Sequence, residues 1–374
     1  VDLLHAVLDA LSLSGRMFWQ MFWGLNLGFA LSAVIEVMIS KDQMSRLMPD
    51  AGAASIARAS LFGAVSSSCS YAAVAMARAV VRKGGDFTAA MCFQFAATNL
   101  VIELGVLMWV MLGWPFAAAD FAGGIVMIVL VAGGLRLFVS ERLRRDAVHH
   151  AKGDARGAME GHAAMAMGKQ QGSWRDRLGS RQGWIAVSHN YVMNWSMVWK
   201  DIAIGLLVAG ALGSWVPKDA WQLVFLQDHG WLTAVWGAAI GPLIALVAFT
   251  CSVGNVPLAA VLWNGGIGFG GVIAFIFGDL IIPPLLNIYR KYYGGRTTWR
   301  LLVVFYLAMV LAALIVEGLF SLLGAIPEPG HVKVAQTAIE LDYTAVLNLL
   351  LGGAGLTLAI VFARSGGPAM MRRM

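Results

Sequence analysis

SCSYAAVAMARAVVRKGGDFTAAMCFQF, residues 68–95, is answered by TCSVGNVPLAAVLWNGGIGFGGVIAFIF, residues 250–277. A shift of 182 positions, without a gap, superimposes Cys69 on Cys251, Ser70 on Ser252, Gly84 on Gly266 and Phe87 on Phe269. Val74, Ala77, Phe93 and Phe95 fall on Val256, Ala259, Phe275 and Phe277 in the same register. Each copy carries one of the chain's three cysteines inside a run of helix-breaking residues. Internal symmetry centred on broken apolar helices is the pattern of repeat-built membrane transporters, whose sites lie where the copies meet.

Outward from this repeat, the composition sets the solvent. Of 374 residues, 59% are hydrophobic and 13% charged, against roughly 25% charged in soluble domains. The mean hydropathy is +0.72. With several apolar stretches near the length of a bilayer crossing, this predicts an all-α polytopic membrane protein. The net charge of +6 sits mostly in loops, so it reports orientation and not a nucleic-acid partner. Three cysteines, two of them in apolar runs, form no secreted disulfide framework. The opening VDLLHAVLDALSLSGR has no basic n-region, so no cleavable leader is expected.

Seven full spans are expected, at about 17–39, 87–112, 117–140, 184–211, 270–290, 300–322 and 343–363. Segments 51–83 and 231–264 are too long for one crossing and too short for two. Each is broken in its middle, by Ser66-Ser67-Ser68-Cys69-Ser70 and by Thr250-Cys251-Ser252-Val253-Gly254-Asn255-Val256-Pro257. Both fit re-entrant hairpins of two half-helices. Charge favours this reading. The loop 141–183 holds Arg142, Arg144, Arg145, Lys152, Arg156, Lys169, Arg175, Arg177 and Arg181, which marks it as cytoplasmic. With two hairpins, Lys41, Arg46, Arg82, Lys83, Arg290, Lys291, Arg296, Arg300 and the tail Arg372-Arg373 fall on the same side. The first hairpin then enters from the cytoplasm and the second from outside, which gives an inverted-topology repeat. The expected divisions are a first repeat (1–140), a basic cytoplasmic loop (141–183), a second repeat (184–322) and an added span with a basic, cytoplasmic tail (323–374).

Cys69 and Cys251 lead the chemistry. Thiolates are soft ligands, so two of them at matching breaks suit one thiophilic atom, trivalent arsenic or a soft metal. Ser68, Ser70, Thr250, Ser252 and Asn255 surround them with hydroxyl and amide groups, beside unwound backbone. Acids inside spans are expensive and default to functional candidates. Asp279 precedes Pro283-Pro284 within its span, and Glu103 stands near Gln94 and Asn99 in the comparable span. Asn99 and Glu103 are expected to share a helix face at i, i+4. Asp279, Glu103 and Asn99 are therefore the proton-coupling candidates, while Cys92 reads as packing. His149, His150 and His162, with Met159, Met165 and Met167, form a weak metal-sampling pattern in the central loop. The sequence has no G-x-x-x-x-G-K-[ST] loop, no C-x-x-C pair and no H-E-x-x-H motif. These exclude unaided ATP hydrolysis and argue against a thiol oxidoreductase or zinc protease.

The run FTCSVGNVPLAAVLWNGGIGFGGVIAFIFGDLIIPPLLNIYRKYYG, residues 249–294, resembles the predicted-permease family that includes the organoarsenical (ArsP-type) efflux permeases. Cys69-Ser70 and the Lys83-Gly84-Gly85 turn are similar to that family's first cysteine motif. The resemblance covers roughly 17–322. It implies a bacterial inner-membrane exporter, with trivalent organoarsenicals such as methylarsenite as cargo in some relatives and metal-ion efflux in others. Relatives often carry Cys-Ser-Cys and a following proline in the first motif. Here Ser67 holds the first cysteine position and Tyr71-Ala72-Ala73 replaces the proline stretch. Two thiols remain, a number that suits a monomethylated arsenic.

The expectation is therefore an efflux permease, not an enzyme, working without a cofactor. Its partners are a small thiophilic solute, the lipid bilayer and protons as coupling ion, with a homo-oligomer open. A copper- or zinc-class exporter, a redox or regulatory membrane protein with reactive cysteines, and a passive channel stand as alternatives.

Overall fold

A computed structural model describes residues 3–38, 50–66, 70–82, 84–152, 179–215, 225–226, 230–248, 252–328 and 343–368. Among them there is no strand. The helices are α1 (Leu3–Met38), α2 (Ala53–Ser66), α3 (Ser70–Arg82), α4 (Phe87–Asn99), α5 (Ile102–Leu112), α6 (Trp114–Phe138) and α7 (Glu141–Lys152). After the central loop come α8 (Arg181–Trp215), α9 (Trp231–Ala248), α10 (Ser252–Asn264) and α11 (Phe269–Phe277). A 3-10 turn (Gly278–Ile281), α12 (Pro283–Tyr293), α13 (Gly295–Leu322) and α14 (Tyr343–Arg364) complete the chain.

The 182-residue shift extends to these elements. It carries α3 onto α10 at both ends, and α4 onto α11 with its 3-10 extension, again at both ends. Local bonding repeats with it. After α3, Gly84 N–H donates to Val81 O and Gly85 N–H to Val80 O; after α10, Gly266 N–H donates to Trp263 O and Ile267 N–H to Leu262 O. This paired closure of a helix end needs a left-handed residue. Gly84 and Gly266 supply it at φ +93° and +92°.

Among the described residues four helices are long and apolar enough to cross a membrane: Trp114–Phe138, Trp231–Ala248, Gly295–Leu322 and Thr344–Arg364. Two bent pairs qualify jointly, α4 with α5 at 40° and α11 with α12 at 45°. Trp231–Ala248, expected as half of a hairpin, is thus 18 residues long and of spanning length by itself. The expected span at 17–39 falls, as far as Met38, on one continuous helix of 36 residues, and that at 184–211 lies within another of 35.

The two bends have different causes. In the second copy Ile282 is held extended before Pro283, since a residue preceding proline is pushed out of the helical region. In the first copy no proline is present. There Asn99 Nδ2 donates to Phe95 O (3.3 Å) and to Thr98 Oγ1 (3.0 Å), and Thr98 Oγ1 donates to Gln94 O (3.2 Å). These side chains compete with the helical ladder, and Val101 beyond them is extended. The break separates Asn99 in α4 from Glu103 in α5, so the expected i, i+4 face does not form.

Packing is paired as well. α2 lies on α4 as α9 lies on α11, while α1 packs on α8 and α6 on α13 across the copies. Gly63 allows the first contact and Gly241 the matching one: a Cβ at either would strike the backbone of the neighbouring helix. Ser14 Oγ donates to Leu206 O at 2.8 Å between α1 and α8. The added α14 covers that same pair.

Candidate functional site

Ser70 opens α3 and Ser252 opens α10. Both are buried, and each reaches into the bent helix of the other copy. Ser70 Oγ donates to Asp279 Oδ2 at 2.5 Å, a short bond of the kind a charged acceptor makes. Ser252 Oγ donates to Thr98 O at 3.4 Å, where α4 is about to break. Ser252 and Leu280 also lie near the Asp279 carboxyl group. Two half-helix N-termini therefore meet at one carboxylate. Their unpaired N–H groups and partial positive charge favour an anion there.

Asp279 is fully buried, on the 3-10 turn that interrupts its span. Its Oδ1 has no hydrogen-bond partner among the described residues. A second acid is fully buried: Asp120 of α6, 0% exposed. Neither oxygen of Asp120 has a hydrogen-bond partner among the described residues. Sequence reasoning missed Asp120. The available signal was an acid inside an otherwise apolar 25-residue helix.

Other candidates fall elsewhere. Asn99 is spent on the break of its own helix, with Oδ1 left unbonded among the described residues. Glu103 is buried on α5 against Gly28 of α1, where a Cβ would collide with it. Asn255 is buried one turn into α10. Gln94 Nε2 donates to Tyr289 Oη at 3.0 Å, joining α4 to α12. Cys92 is buried with Sγ 3.8 Å from Ile128 O, a packing position as expected. Cys69, Cys251, Ser68 and Thr250 lie outside the described residues. The residue following each cysteine is described, however, and both of those residues are at Asp279.

On the basic side, His149 and His150 of α7 line a cleft of about 310 Å³ with Asp146, Tyr293, Gly294 and Arg296. Among the described residues no three His, Cys, Asp or Glu groups converge as metal ligands, and His162 lies outside them. Arg78, also unforeseen, is fully buried on α3. Its Nε donates to Ala151 O at 3.1 Å, and its guanidinium lies 4.2 Å from the Tyr292 ring centroid, tying α3 to α7 and α12.

Comparisons place this arrangement among known chains. Residues 6–318 match the family described as predicted permease. A Mycobacterium tuberculosis protein, called a permease by inference, is 49% identical over 313 residues, covering 83% of this chain and 77% of that one. The YraQ protein of Escherichia coli is 22% identical over 277 residues, covering 73% of this chain and 70% of its own. No solved structure matches. A family match over most of the length, on an all-helical chain with several bilayer-length apolar helices, identifies a multi-pass membrane transporter: the chain belongs to the predicted-permease family.

Proposed function

We propose that the chain is an efflux permease of the bacterial inner membrane that moves a thiophilic solute, a trivalent organoarsenical such as methylarsenite, in exchange for protons. The observation that carries this reading is the meeting of Ser70 and Ser252 at Asp279. Cys69 and Cys251 immediately precede those two serines in the sequence. Two thiols match methylarsenite: each displaces one hydroxyl from arsenic, two As–S bonds form, and two waters leave. Serine hydroxyls and helix N-termini offer donors to the arsenic-bound oxygens before exchange.

The element boundaries support an inverted repeat. Each copy has one long helix, a broken hairpin, one bent span and one straight span. With three crossings per copy, the second copy begins on the opposite side from the first, and α14 makes the seventh span. Basic residues in the 141–183 loop favour a cytoplasmic position for it and for the tail. In this arrangement Asp279 sits near mid-bilayer and carries the exchanged proton.

The test is methylarsenite efflux from whole cells expressing Cys69→Ser, Cys251→Ser and, as a control, Cys92→Ser. Either of the first two abolishes efflux and resistance, while Cys92→Ser behaves as the parent. Undiminished efflux by both site variants sinks the thiol site.

A further inference from the structure

The short helix α7 lies across the basic side and packs on both α3 of the first copy and α12 of the second. Its apolar hold is small. The buried side chains are Ala147 and Ala151, one turn apart, and two methyl groups remove little apolar surface from water. Leu143, Asp146, His149 and His150 instead line the cleft of about 310 Å³ against the turn from α12 into α13. What holds α7 down is Arg78. Its Nε donates to Ala151 O at 3.1 Å, and its guanidinium lies 4.2 Å from the Tyr292 ring centroid. Ala151 is in the last turn of α7, where carbonyls have no partner within the helix and the dipole favours a cation.

From this packing, we propose that α7 is a strap that closes the basic side, latched by Arg78, and that it must lift for the Ser70–Asp279 meeting point to open toward that side. The proposal rests on the transporter reading of that meeting point and not on which solute it moves.

Placement gives the strap its effect. α3 leaves Ser70, whose hydroxyl is bonded to Asp279, and reaches Arg78 after eight residues, about 12 Å along the helix. α12 starts at Pro283, just beyond Asp279, and reaches Tyr292 after nine residues, about 14 Å. The two helices come from different copies and are tied twice, by Ser70 to Asp279 and by Arg78 to Tyr292. α7 sits on the second tie. Alternating access moves one repeat against the other around a fixed site, and parting α3 from α12 at the basic end breaks the contacts of Arg78 and releases α7. Two other arginines bond across this side, Arg136 to Ala51 O and Arg300 to Phe138 O at 3.3 Å, but both bonds are exposed. Arg78 is fully buried, where each partner counts for more. A joint is present too. Val139, between α6 and α7, is extended, and Ser140 Oγ accepts the Leu143 N–H at 3.4 Å, so α7 can lift without unwinding α6.

Thiol modification of the purified full-length permease in proteoliposomes tests this. The probe is a charged, membrane-impermeant maleimide applied to the α7 side, with modified residues identified by mass spectrometry. In Ala147→Cys the reporter lies under the strap and reacts slowly. Adding Arg78→Gln speeds it about tenfold or more, as the loss of a hydrogen bond from a charged group should. Should Arg78→Gln not fold, Arg78→Lys replaces it, since it keeps the charge, loses the planar fork and also speeds the reaction. The native Cys69, which precedes Ser70, reports the consequence. Its modification quickens in the Arg78 variant and likewise in Ala147→Glu, which forces α7 off while leaving Arg78 and Tyr292 in place. Equal rates at Ala147→Cys with and without the Arg78 change overturn the latch. Faster reaction at Ala147→Cys with Cys69 unchanged overturns the gate. Cys69 quickened by the Arg78 change and not by Ala147→Glu also overturns it, since Arg78 then acts through α3 alone. Neither readout uses methylarsenite, so the failure of that cargo and the failure of the strap are separate results.

Discussion

The two copies share a frame and differ in what it holds. α3 and α10 have the same length, the same opening serine and the same glycine closure. Around them the chemistry is divided. At the position of Asp279 the first copy has Ala97, and at the position of Asp120 the second copy has Leu302. The first copy thus buries Asp120 and Glu103 and the second buries Asp279, each on a different element. Even the first turns of the matching bent spans are satisfied differently. Asp86 caps α4 by accepting the Ala89 N–H at 2.9 Å, whereas its mate is Gly268, and Glu317 of α13 reaches across to the Gly270 N–H of α11. The acids thus differ between the copies while the shared helices keep their lengths.

The sharpest way to break this comparison is to treat the mated serines alike. Ser70 gives its hydrogen bond to a carboxylate at 2.5 Å and Ser252 to a backbone carbonyl at 3.4 Å. Bonds to charged groups contribute about 1.5–3 kcal/mol and neutral ones about 0.5–1.5 kcal/mol. Ser70→Ala is therefore expected to lower the melting temperature in detergent more than Ser252→Ala. Equal shifts would show that the two half-helix tips are equivalent after all. Asp279→Asn keeps an acceptor for Ser70 and removes the charge, so it should retain most of the parent's stability while transport stops.

Much of this frame was legible before any coordinates. The all-helical class follows from apolar runs of bilayer length, and the mating of Ser70 with Ser252 follows from the 182-residue shift. Asp279 was legible because an acid just ahead of two prolines announces a broken span. The bend of the first copy was not. Thr98 and Asn99 break the helix by bonding back to the Gln94 and Phe95 carbonyls, and neither residue type forces a break unless burial leaves it no water. That hidden break is why Asn99 and Glu103 were read onto one face. Asp120 was lost for the opposite reason: α6 is straight and apolar, and no repeat mate calls attention to the acid.

A smaller effect probes the part of the frame that should be equal. A Cβ at Gly84 would touch nothing, so Gly84→Ala isolates the backbone cost of a left-handed residue, about 1–2 kcal/mol. Gly266 has the same φ, and Gly266→Ala should cost the same within error when both are measured by thermal unfolding in detergent. A large difference would mean that the matching turns are not equally strained and that the copies diverge even in their scaffold.

The smallest expected effect lies where the hairpins begin. Ahead of α2, Asp50 Oδ1 accepts the Ser55 hydroxyl at 2.7 Å and the Gly52 N–H at 2.8 Å. Those two bonds, the hydroxyl first, hold the Asp50 carboxyl below its ordinary value. At the corresponding entry to α9, among the described residues, Thr233 N–H donates to Gly230 O and its hydroxyl to Leu226 O at 2.6 Å. A carboxyl lowered by folding contributes stability above its unfolded value and loses it as pH falls through the folded one. Hydrogen exchange at the start of α2, corrected for its intrinsic pH dependence, should therefore quicken as the medium is acidified past the carboxylate range. Asp50→Asn should remove the dependence at α2. A dependence that persists in Asp50→Asn would rule out the Asp50 carboxylate as the source. Because Asp50 is fully exposed to solvent, the effect is confined to fraying of that first turn, leaving the buried meeting point of the two copies untouched.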